Sequence, residues 1–288
     1  MKCIVCPAST HAGLSPWHHV CPACRYEAAQ LEPTINEKQA HDLVNEGDRE
    51  VALKRLREDN FKTIVTRLKA LAPPGARTLL DVGSAHGWFL EQAAERFEVL
   101  GVEPDAAVGE MAARRGLPVR IGYFPDALPE GAKFDVIVFN DVIEHIPAVH
   151  DALQACHARL NPNGLLVLNV PCSRGFFYRL SKLFARLNLN GPFDRMWQKD
   201  LPSPHVHYFN EANLNALVER HGLHKLEAFE LASLRLSGLM ERLRFVGKVN
   251  PLVLYAQYAA IALAIPVLKL FPSDILVCIY RKGDAPAG

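Results

Sequence analysis

Residues 79–90 constrain the fold of this chain more than any other stretch. The segment opens with apolar residues, turns through Gly83 and Gly87, and then resumes an apolar pattern. A short apolar run is typical of a buried parallel strand, and glycine lets the backbone take positive φ or approach a ligand closely. The N–H groups of the helix that follows point back into the loop. The stretch therefore predicts a strand, a nucleotide-type binding turn and a helix.

The spacing within the loop excludes two common ligand classes. A dinucleotide loop would read G-x-G-x-x-G, whereas this loop reads Asp81-x-Gly83-x-Ala85-x-Gly87. No lysine of the Walker type follows the last glycine. A turn that binds nothing is the alternative, because glycine-rich strand–helix turns are common in α/β proteins.

Length and composition allow one large domain with a small attachment. The chain has 288 residues, of which 49% are hydrophobic and 22% charged, so it can bury a substantial core. A net charge of +1 gives no overall basic field for nucleic acid. The first residues lack the apolar run of a signal peptide, and four of the seven cysteines fall within the first 24 residues. We therefore expect a reducing, cytoplasmic location with the other three cysteines as buried thiols.

Two Cys-x-x-Cys pairs near the N-terminus predict a structural zinc site. Cys3 and Cys6 form the first pair, Cys21 and Cys24 the second, with fourteen residues between the pairs. Each tight turn brings two sulfurs to one ion, and a closed four-sulfur site has no open position for catalysis. Disulfides or free thiols are the alternative. Substitute ligands lie between the pairs, namely His11, His18 and His19.

Alternating strand and helix patterns predict a parallel sheet. Apolar runs that read as strands occur at 98–102, 118–121, 134–139, 165–170 and 275–280. Helical patterns at 105–115 and 147–160 lie between these strands. Before the first strand, a linker is expected at 27–45, followed by a helix with an apolar stripe at 48–71. This order implies right-handed crossovers and a doubly wound α/β fold.

Polar residues follow two further predicted strands. Glu103 and Pro104 end the strand after the loop, where a carboxylate can accept both hydroxyls of a ribose. Asn140-Asp141-Val142-Ile143-Glu144-His145 follows the fourth strand. His205-Val206-His207-Tyr208-Phe209 precedes a predicted helix at 211–221.

Together these motifs, between about residues 75 and 225, resemble the class I S-adenosylmethionine-dependent methyltransferases. The loop resembles their D-x-G-x-G-x-G motif, with alanine at the middle glycine. The Asp-Val-Ile-Glu-His segment and the later His-x-x-x-Phe segment resemble a subgroup that includes ubiquinone-pathway O-methyltransferases and many bacterial glycan-cluster enzymes. The resemblance implies a Rossmann-like methyltransferase sheet, with Asp81 holding the methionine amino group of the cofactor. The implied cofactor-binding residues are Asp81, Gly83, Ser84, Ala85, Gly87, Glu103, Pro104, Asn140 and Asp141.

Three histidines are candidate catalytic residues. Methyl transfer to a hydroxyl benefits from a base with a pKa near neutral, and histidine titrates there. His145, His205 and His207 are the candidates, and His205 is the favoured base. The alternatives are that His145 packs under the cofactor loop and that His205 has only a structural role.

The C-terminal part of the chain contains a long insert and an apolar run. Residues 173–204 are rich in arginine and aromatic residues and predict a lid beside the ligand site. Residues 233–248 alternate leucine and arginine, and 252–268 are nearly all apolar. A spanning helix needs about 20 apolar residues. We therefore favour packing as core or cap, with membrane-surface contact and spanning as alternatives.

These observations define an expected organisation. It comprises a zinc-binding, zinc-ribbon-like module at 1–30, a linker and N-terminal helix at 31–72, the S-adenosylmethionine-binding core at 73–232, a helical cap or membrane-contact segment at 233–272, and a last strand and tail at 273–288. The expected cofactors are S-adenosylmethionine and structural Zn²⁺. We expect O-methylation of a small-molecule, glycan or lipid-linked acceptor. Contact to the inner membrane face through 233–271 is the alternative to packing as core or cap.

Three alternatives to this function remain open. They are an RNA methyltransferase with a zinc recognition module, a sugar C-methyltransferase, and a non-catalytic cofactor-binding scaffold. The near-neutral charge argues against RNA, because nucleic-acid affinity depends on phosphate neutralisation by lysine and arginine. The intact loop and Glu103 argue against a scaffold.

Overall fold

The computed structural model describes residues 1–32, 46–245 and 250–283. The strands are β1 (His11–Ala12), β2 (His18–Val20), β3 (Glu27–Ala29), β4 (Thr78–Val82), β5 (Glu98–Glu103), β6 (Val119–Ile121), β7 (Phe134–Asn140), β8 (Leu160–Pro171), β9 (His207–Tyr208), β10 (Leu223–Leu231) and β11 (Ile275–Lys282). The helices are α1 (Glu46–Leu71), α2 (Trp88–Ala93), α3 (Ala106–Arg114), α4 (Val149–Arg159), α5 (Phe176–Arg186), α6 (Gly191–Met196), α7 (Glu211–Glu219), α8 (Leu239–Phe245) and α9 (Pro251–Leu268).

A seven-stranded sheet in the order β10-β11-β8-β7-β4-β5-β6 forms the centre of the protein. Strands β8, β7, β4, β5 and β6 pair in parallel, and β11 pairs antiparallel with both β8 and β10. This confirms the predicted doubly wound α/β fold. Strand β8 begins before the predicted 165–170, and within its first residues Asn163 takes a left-handed φ of 60° and the register with β7 shifts.

Helices cover both faces of this sheet, as the apolar patterns predict. On one face, Phe61, Ile64 and Leu68 of α1 are buried, and the Phe61 ring meets Phe89 of α2 edge-on at 5.3 Å. On the opposite face, Leu153 of α4 and other side chains of α4 and α7 pack in a second core cluster. The strand ends between these two cores are therefore held in fixed register.

The N-terminal cysteine module shares a sheet with the core. Strands β1, β2 and β3 form a small antiparallel sheet whose fourth strand is β9, with Glu27 opposite Tyr208 and Ala28 opposite His207. The linker predicted at 27–45 therefore begins too early, since residues 27–29 form β3, and residues 33–45 lie outside the described part. Cys21 joins the core cluster beneath the large sheet, so the module is packed onto the domain.

The predicted lid packs on this small sheet. Helices α5 and α6 lie within the insert at 173–204, and two of their aromatic side chains, Tyr178 and Phe193, are fully buried. Tyr178 stacks on Tyr208 with ring centroids 4.0 Å apart, and Phe193 stacks on Trp17 at 5.6 Å. These contacts hold the insert against the N-terminal module, and residues 203 and 204 reach the segment after β7.

A buried carboxylate fixes the contact between insert and module. Glu27 accepts hydrogen bonds from His18 Nε2, Tyr178 Oη and Lys182 Nζ, each at 2.8 Å. Burial alone would raise the pKa of Glu27, but His18 and Lys182 outweigh it and hold this pKa below its usual value. The carboxylate stays ionised and bonded at neutral pH, which ties β3 to α5.

The apolar run near the C-terminus forms an exposed helix. Helix α9 is long and apolar enough to cross a membrane, with mean hydropathy 1.8, yet only 6% of it is buried. Leu252 and Leu263 are 80% and 77% exposed, and Leu254 is the buried residue of the helix. The expectation of core packing is therefore wrong for α9. Arg242 and Lys248 of the preceding leucine–arginine pattern lie outside the described side chains.

Candidate functional site

Polar side chains from four parallel strands meet at the carboxyl edge of the large sheet. Asp81 lies on β4, Glu103 ends β5, Asn140 ends β7, and Asn169 lies near the end of β8. Asn169 Nδ2 donates to Asn140 Oδ1 at 3.4 Å, and Asn140 Nδ2 donates to Asp81 Oδ1 at 3.3 Å. The structure thus brings the predicted cofactor residues together. Sequence reasoning missed Asn169, whose signal is a lone amide within an apolar strand.

The loop after β4 takes the conformation that its glycines predict. Gly83, Ala85 and Gly87 have φ of 70°, 44° and 76°. A Cβ at Gly83 would lie 2.5 Å from Cγ2 of Val142, so glycine is required there by space as well as by conformation. Alanine at position 85 adopts the left-handed region at a steric cost that glycine would avoid. The N–H groups of Gly83 and Ser84 donate to the Val102 carbonyl at 2.8 and 3.1 Å, which holds the loop against β5.

Glu103 is fixed by the loop that it faces. Its Oε2 accepts from the Ala85 N–H at 2.8 Å, and its Oε1 accepts from the Asp105 N–H at 2.9 Å. The residue is 6% exposed, and burial raises the pKa of its carboxyl. Each oxygen keeps a second acceptor position, so the carboxylate can still accept the hydroxyls of a diol. Pro104 follows directly and has no N–H to compete for it.

Asp81 is a buried carboxyl whose ionised form a bound cation would stabilise. It is 1% exposed, and burial raises its pKa to about 8. The hydrogen bond from Asn140 lowers this pKa, and the Glu103 carboxyl raises it. An ammonium group placed against Asp81 would favour the ionised form, because an opposite charge offsets the desolvation of the carboxylate.

The segment after β7 turns back over the same edge. Asp141 takes a left-handed φ of 56°, its carboxylate lies 3.7 Å from Arg57 Nη2, and Ile143–His145 form a short 3-10 turn. Glu144 in this turn is fully buried, and within the described part of the chain neither carboxylate oxygen has a hydrogen-bond partner. Burial raises the pKa of Glu144 well above its usual range.

Comparison with known proteins identifies the family. A family model described as a methyltransferase domain matches residues 53–228, which is more than half of the chain. The chain belongs to this methyltransferase family. A ubiquinone biosynthesis O-methyltransferase from Paramagnetospirillum magneticum is 37% identical over 97 residues, and the match covers 31% of this chain and 39% of that relative.

Solved structures share the fold at low identity. A S-adenosylmethionine-dependent methyltransferase from Thermotoga maritima superposes with a TM-score of 0.55 at 16% identity, covering 84% of this chain and 96% of that one. A phosphoethanolamine N-methyltransferase from Haemonchus contortus gives a TM-score of 0.56 at 17% identity, covering 86% and 60%. Together with the family match to residues 53–228, this fold makes the domain an S-adenosylmethionine-dependent methyltransferase.

In the methyltransferase, His145 has a defined tautomer. Its Nδ1 donates to the Pro204 carbonyl at 2.9 Å, and Ser203 Oγ lies 3.1 Å from the same nitrogen. Nε2 is then the acceptor, and it lies 4.0 Å from Glu144 Oε1. The rings of His145 and His205 are 4.7 Å apart, and Glu144, His145 and His205 each place one potential metal-ligand atom within 4.8 Å of the others.

The other two candidate histidines are buried and hydrogen-bonded. Gln198 Nε2 donates to His205 Nε2 at 2.9 Å, and burial lowers the pKa of His205 to about 3. His207 Nε2 donates to the Ile146 carbonyl at 2.9 Å, its Nδ1 bonds Tyr26 Oη, and burial lowers its pKa to about 4. Both ring nitrogens of His207 are engaged in hydrogen bonds, which favours a structural role over the predicted role as a base.

The four N-terminal cysteines converge at one point. Sγ of Cys3 lies 3.5 Å from Sγ of Cys24, Cys6 and Cys21 are separated by the same distance, and all four sulfurs lie within 4.8 Å of one another. None of the four is in a disulfide. Zn–S bonds of about 2.3 Å in a tetrahedron place sulfurs about 3.8 Å apart, so this donor set fits one zinc ion.

We predict that both buried carboxyls hold the cofactor. Asp81→Asn and Glu103→Gln should each weaken S-adenosylhomocysteine binding about tenfold or more, because hydrogen bonds to charged groups contribute about 1.5–3 kcal/mol. Isothermal titration calorimetry measures the change. Glu110→Gln is the control, since it removes an exposed carboxylate of α3 paired with Arg114. Wild-type affinity in both site variants would contradict the assignment.

The same titration should release protons near neutral pH. With a pKa of about 8, Asp81 is mostly protonated at pH 7 and must ionise to pair with the cofactor ammonium. Affinity should rise with pH by up to about tenfold per unit and level off near pH 8. Heats in buffers of different ionisation enthalpy measure the released protons, and Asp81→Asn should abolish the release. A wild-type affinity independent of pH would refute this coupling.

Proposed function

We propose that the protein O-methylates an amphiphilic acceptor at a membrane surface on the cytoplasmic side. The acceptor would be a lipid-linked glycan or a lipid-like small molecule. The observation that carries this proposal is the exposed apolar helix α9 on a domain whose cofactor edge is complete. The relative from Paramagnetospirillum magneticum, a ubiquinone biosynthesis O-methyltransferase, supports an oxygen acceptor. Bound S-adenosylmethionine supplies a methyl group activated by its sulfonium, and the chain positions the acceptor.

The attachment of α9 favours insertion along the surface. The helix is about 27 Å long at 1.5 Å per residue, close to the thickness of a bilayer core. Both of its ends are tied to the same domain, however. Leu254 is buried near the start, and beyond the end Phe271 packs on Phe176 with ring centroids 5.0 Å apart. A helix held at both ends lies along the interface, with its free side in the apolar layer.

His145 is the proposed base for an acceptor hydroxyl. His205 and His207 are poor bases, because burial lowers their pKa values to about 3 and about 4. In His145 the Nδ1–H donates to the Pro204 carbonyl, so a proton from the acceptor would be taken up at Nε2. Glu144 lies 4.0 Å from Nε2. Burial raises the pKa of this carboxyl, and an imidazolium at that distance would favour its ionisation.

The base assignment predicts a specific loss of rate. His145→Gln should lower the initial rate by about a hundredfold or more, the usual contribution of general base catalysis, with S-adenosylhomocysteine affinity unchanged. The measurement is transfer of radiolabelled methyl from S-adenosylmethionine into a membrane lipid extract, with alkali-stable label as the sign of an ether. His224→Gln, on the exposed face of β10, is the control. Label in RNA or protein fractions would overturn the proposed acceptor.

The helix assignment predicts membrane binding. Leu252→Lys with Leu263→Lys should reduce cosedimentation with phosphatidylcholine vesicles at least a hundredfold, because burial of each leucine contributes about 1.5–3 kcal/mol. Both side chains are exposed, so the melting temperature should not change. The control is Met111→Lys with Leu226→Lys, two exposed apolar residues elsewhere. A wild-type protein that stays in the supernatant would refute this role of α9.

We also propose that the cysteine cluster holds one structural zinc. Removal of the metal would release the turns that carry Cys21 and Tyr26, and Tyr26 contacts His207 on β9. Because β9 pairs with β3, the metal would then stabilise the segment that runs to His205.

Zinc analysis tests this site. Purified protein should contain about one zinc per chain, as a four-thiolate site requires. Cys21→Ser should lose the metal and lower the melting temperature, while S-adenosylhomocysteine affinity changes little, since Asp81 and Glu103 lie on strands that do not pair with the module. Cys156→Ser, a buried thiol outside the cluster, should keep the zinc. Anaerobically prepared protein without zinc would contradict the site.

A further inference from the structure

A basic groove lies between the N-terminal module, α5 and the chain segment after α9. It encloses about 900 Å³. Five cationic side chains line it, namely Arg25, Arg174, Arg179, Lys182 and Arg186. For a chain with a net charge of only +1, this is a strong local concentration of positive charge.

The charges in this groove are available to a ligand. Glu27 is the acidic side chain of the lining, and it is already bonded to His18, Tyr178 and Lys182. The four arginines are exposed, and among the described residues no hydrogen bond or ion pair of their guanidinium groups is seen. Helix α5 contains no acidic residue that could neutralise them. Unpaired guanidinium groups around one cavity fit a phosphate, which arginine binds in a bidentate manner.

Exposed apolar surface flanks the groove on both sides. Leu183, Leu187 and Leu189 at the end of α5 are 49%, 62% and 57% exposed. On the other side, Leu270 and Phe271 beyond α9 are 82% and 46% exposed, and Phe271 itself lines the groove. Positive charge between two apolar margins is complementary to a bilayer surface, where anionic phosphates lie just above the hydrocarbon.

One residue of the groove lining is bonded to the segment that carries His205. Ser173 in its lining donates its N–H to the Phe209 carbonyl at 2.7 Å, in the stretch that carries His205. Ser173 follows Asn169 by four residues, so it lies at most about 14 Å along the chain from the cofactor edge. A molecule held in the groove can therefore extend a further group to the reaction site.

We propose that this groove binds the phosphate of a membrane lipid and thereby places a phosphate-bearing lipid acceptor at the cofactor edge. The inference rests on the proposed function, because α9 brings the groove to the membrane. The acceptor class is then narrower: a lipid whose phosphate lies in the groove and whose methylated hydroxyl is separated from that phosphate by a spacer.

Binding to two kinds of vesicle separates the contribution of the groove from that of α9. The probes are vesicles of phosphatidylcholine alone and of phosphatidylcholine with phosphatidic acid. Wild-type protein should bind the second more tightly, and Arg179→Gln with Arg186→Gln should remove roughly thirtyfold of that gain, which corresponds to about 1 kcal/mol for each basic residue. Binding to phosphatidylcholine alone, which reports α9, should not change. Unchanged S-adenosylhomocysteine affinity shows that the variant is folded.

A second variant that removes the same number of charges distinguishes a specific site in the groove from general electrostatic attraction to anionic vesicles. Arg96→Gln with Arg120→Gln removes two exposed arginines from the far side of the domain. If this pair loses as much phosphatidic acid binding as the groove pair, the groove is overturned, while binding to phosphatidylcholine would still support α9. If the wild-type protein does not bind phosphatidylcholine vesicles, the proposed function itself is rejected.

Soluble competitors test the identity of the ligand. Inorganic pyrophosphate should produce little thermal shift, because it lacks the apolar part that the margins bind. If pyrophosphate, or a short RNA, shifts the melting temperature of wild type but not of the groove pair, and phosphatidic acid adds nothing, the lipid assignment is wrong. Preference for phosphatidic acid that depends on Arg179 and Arg186 supports it.

Discussion

The pairing of β9 with β3 connects the N-terminal cysteine module to the segment that carries the candidate histidines. β9 belongs to the segment that delivers His205, and β3 belongs to the cysteine module. His207 strengthens the connection, because one ring nitrogen bonds the module through Tyr26 and the other bonds the Ile146 carbonyl beside the 3-10 turn. The position of His145 thus depends on the fold of the first 30 residues. In sequence the cysteine module looks like a separate recognition module. In the structure it supports the segment that carries the candidate histidines.

The cofactor edge depends on a different physical effect. Asp81 and Glu103 are carboxyls removed from water, and their desolvation costs folding energy that the loop N–H groups and Asn140 offset only in part. A cationic, hydroxyl-rich ligand would satisfy these groups without rearrangement, since Glu103 is already oriented by two backbone donors. The cofactor side is therefore preorganised, in the sense that its polar groups are held for a ligand before it arrives.

The sequence predicted the sheet and its polar edge, because both depend on local patterns. Apolar strands, glycine spacing and carboxylates at strand ends are short-range signals, and β4, β5 and β7 appear where they predict. Contacts between distant segments were not accessible in this way. Nothing near Glu27 shows that it will bond Tyr178 and Lys182, so β3 read as linker. Likewise, His205 and His207 look like bases until burial, a tertiary property, lowers their pKa values.

The order of strands in the sheet separates cofactor from acceptor. The expected cofactor contacts lie on β4 and β5, His145 follows β7, and the basic groove begins after β8. With neighbouring strands about 4.8 Å apart, β5 and β8 are separated by about 14 Å, so the proposed base lies between the two proposed binding regions. Helix α9 precedes β11, the next strand beyond β8, so in the proposed function it would bring the membrane to the acceptor side. The cofactor would then exchange from solvent while a lipid acceptor stayed in the interface, which is consistent with an apolar helix placed away from the glycine loop.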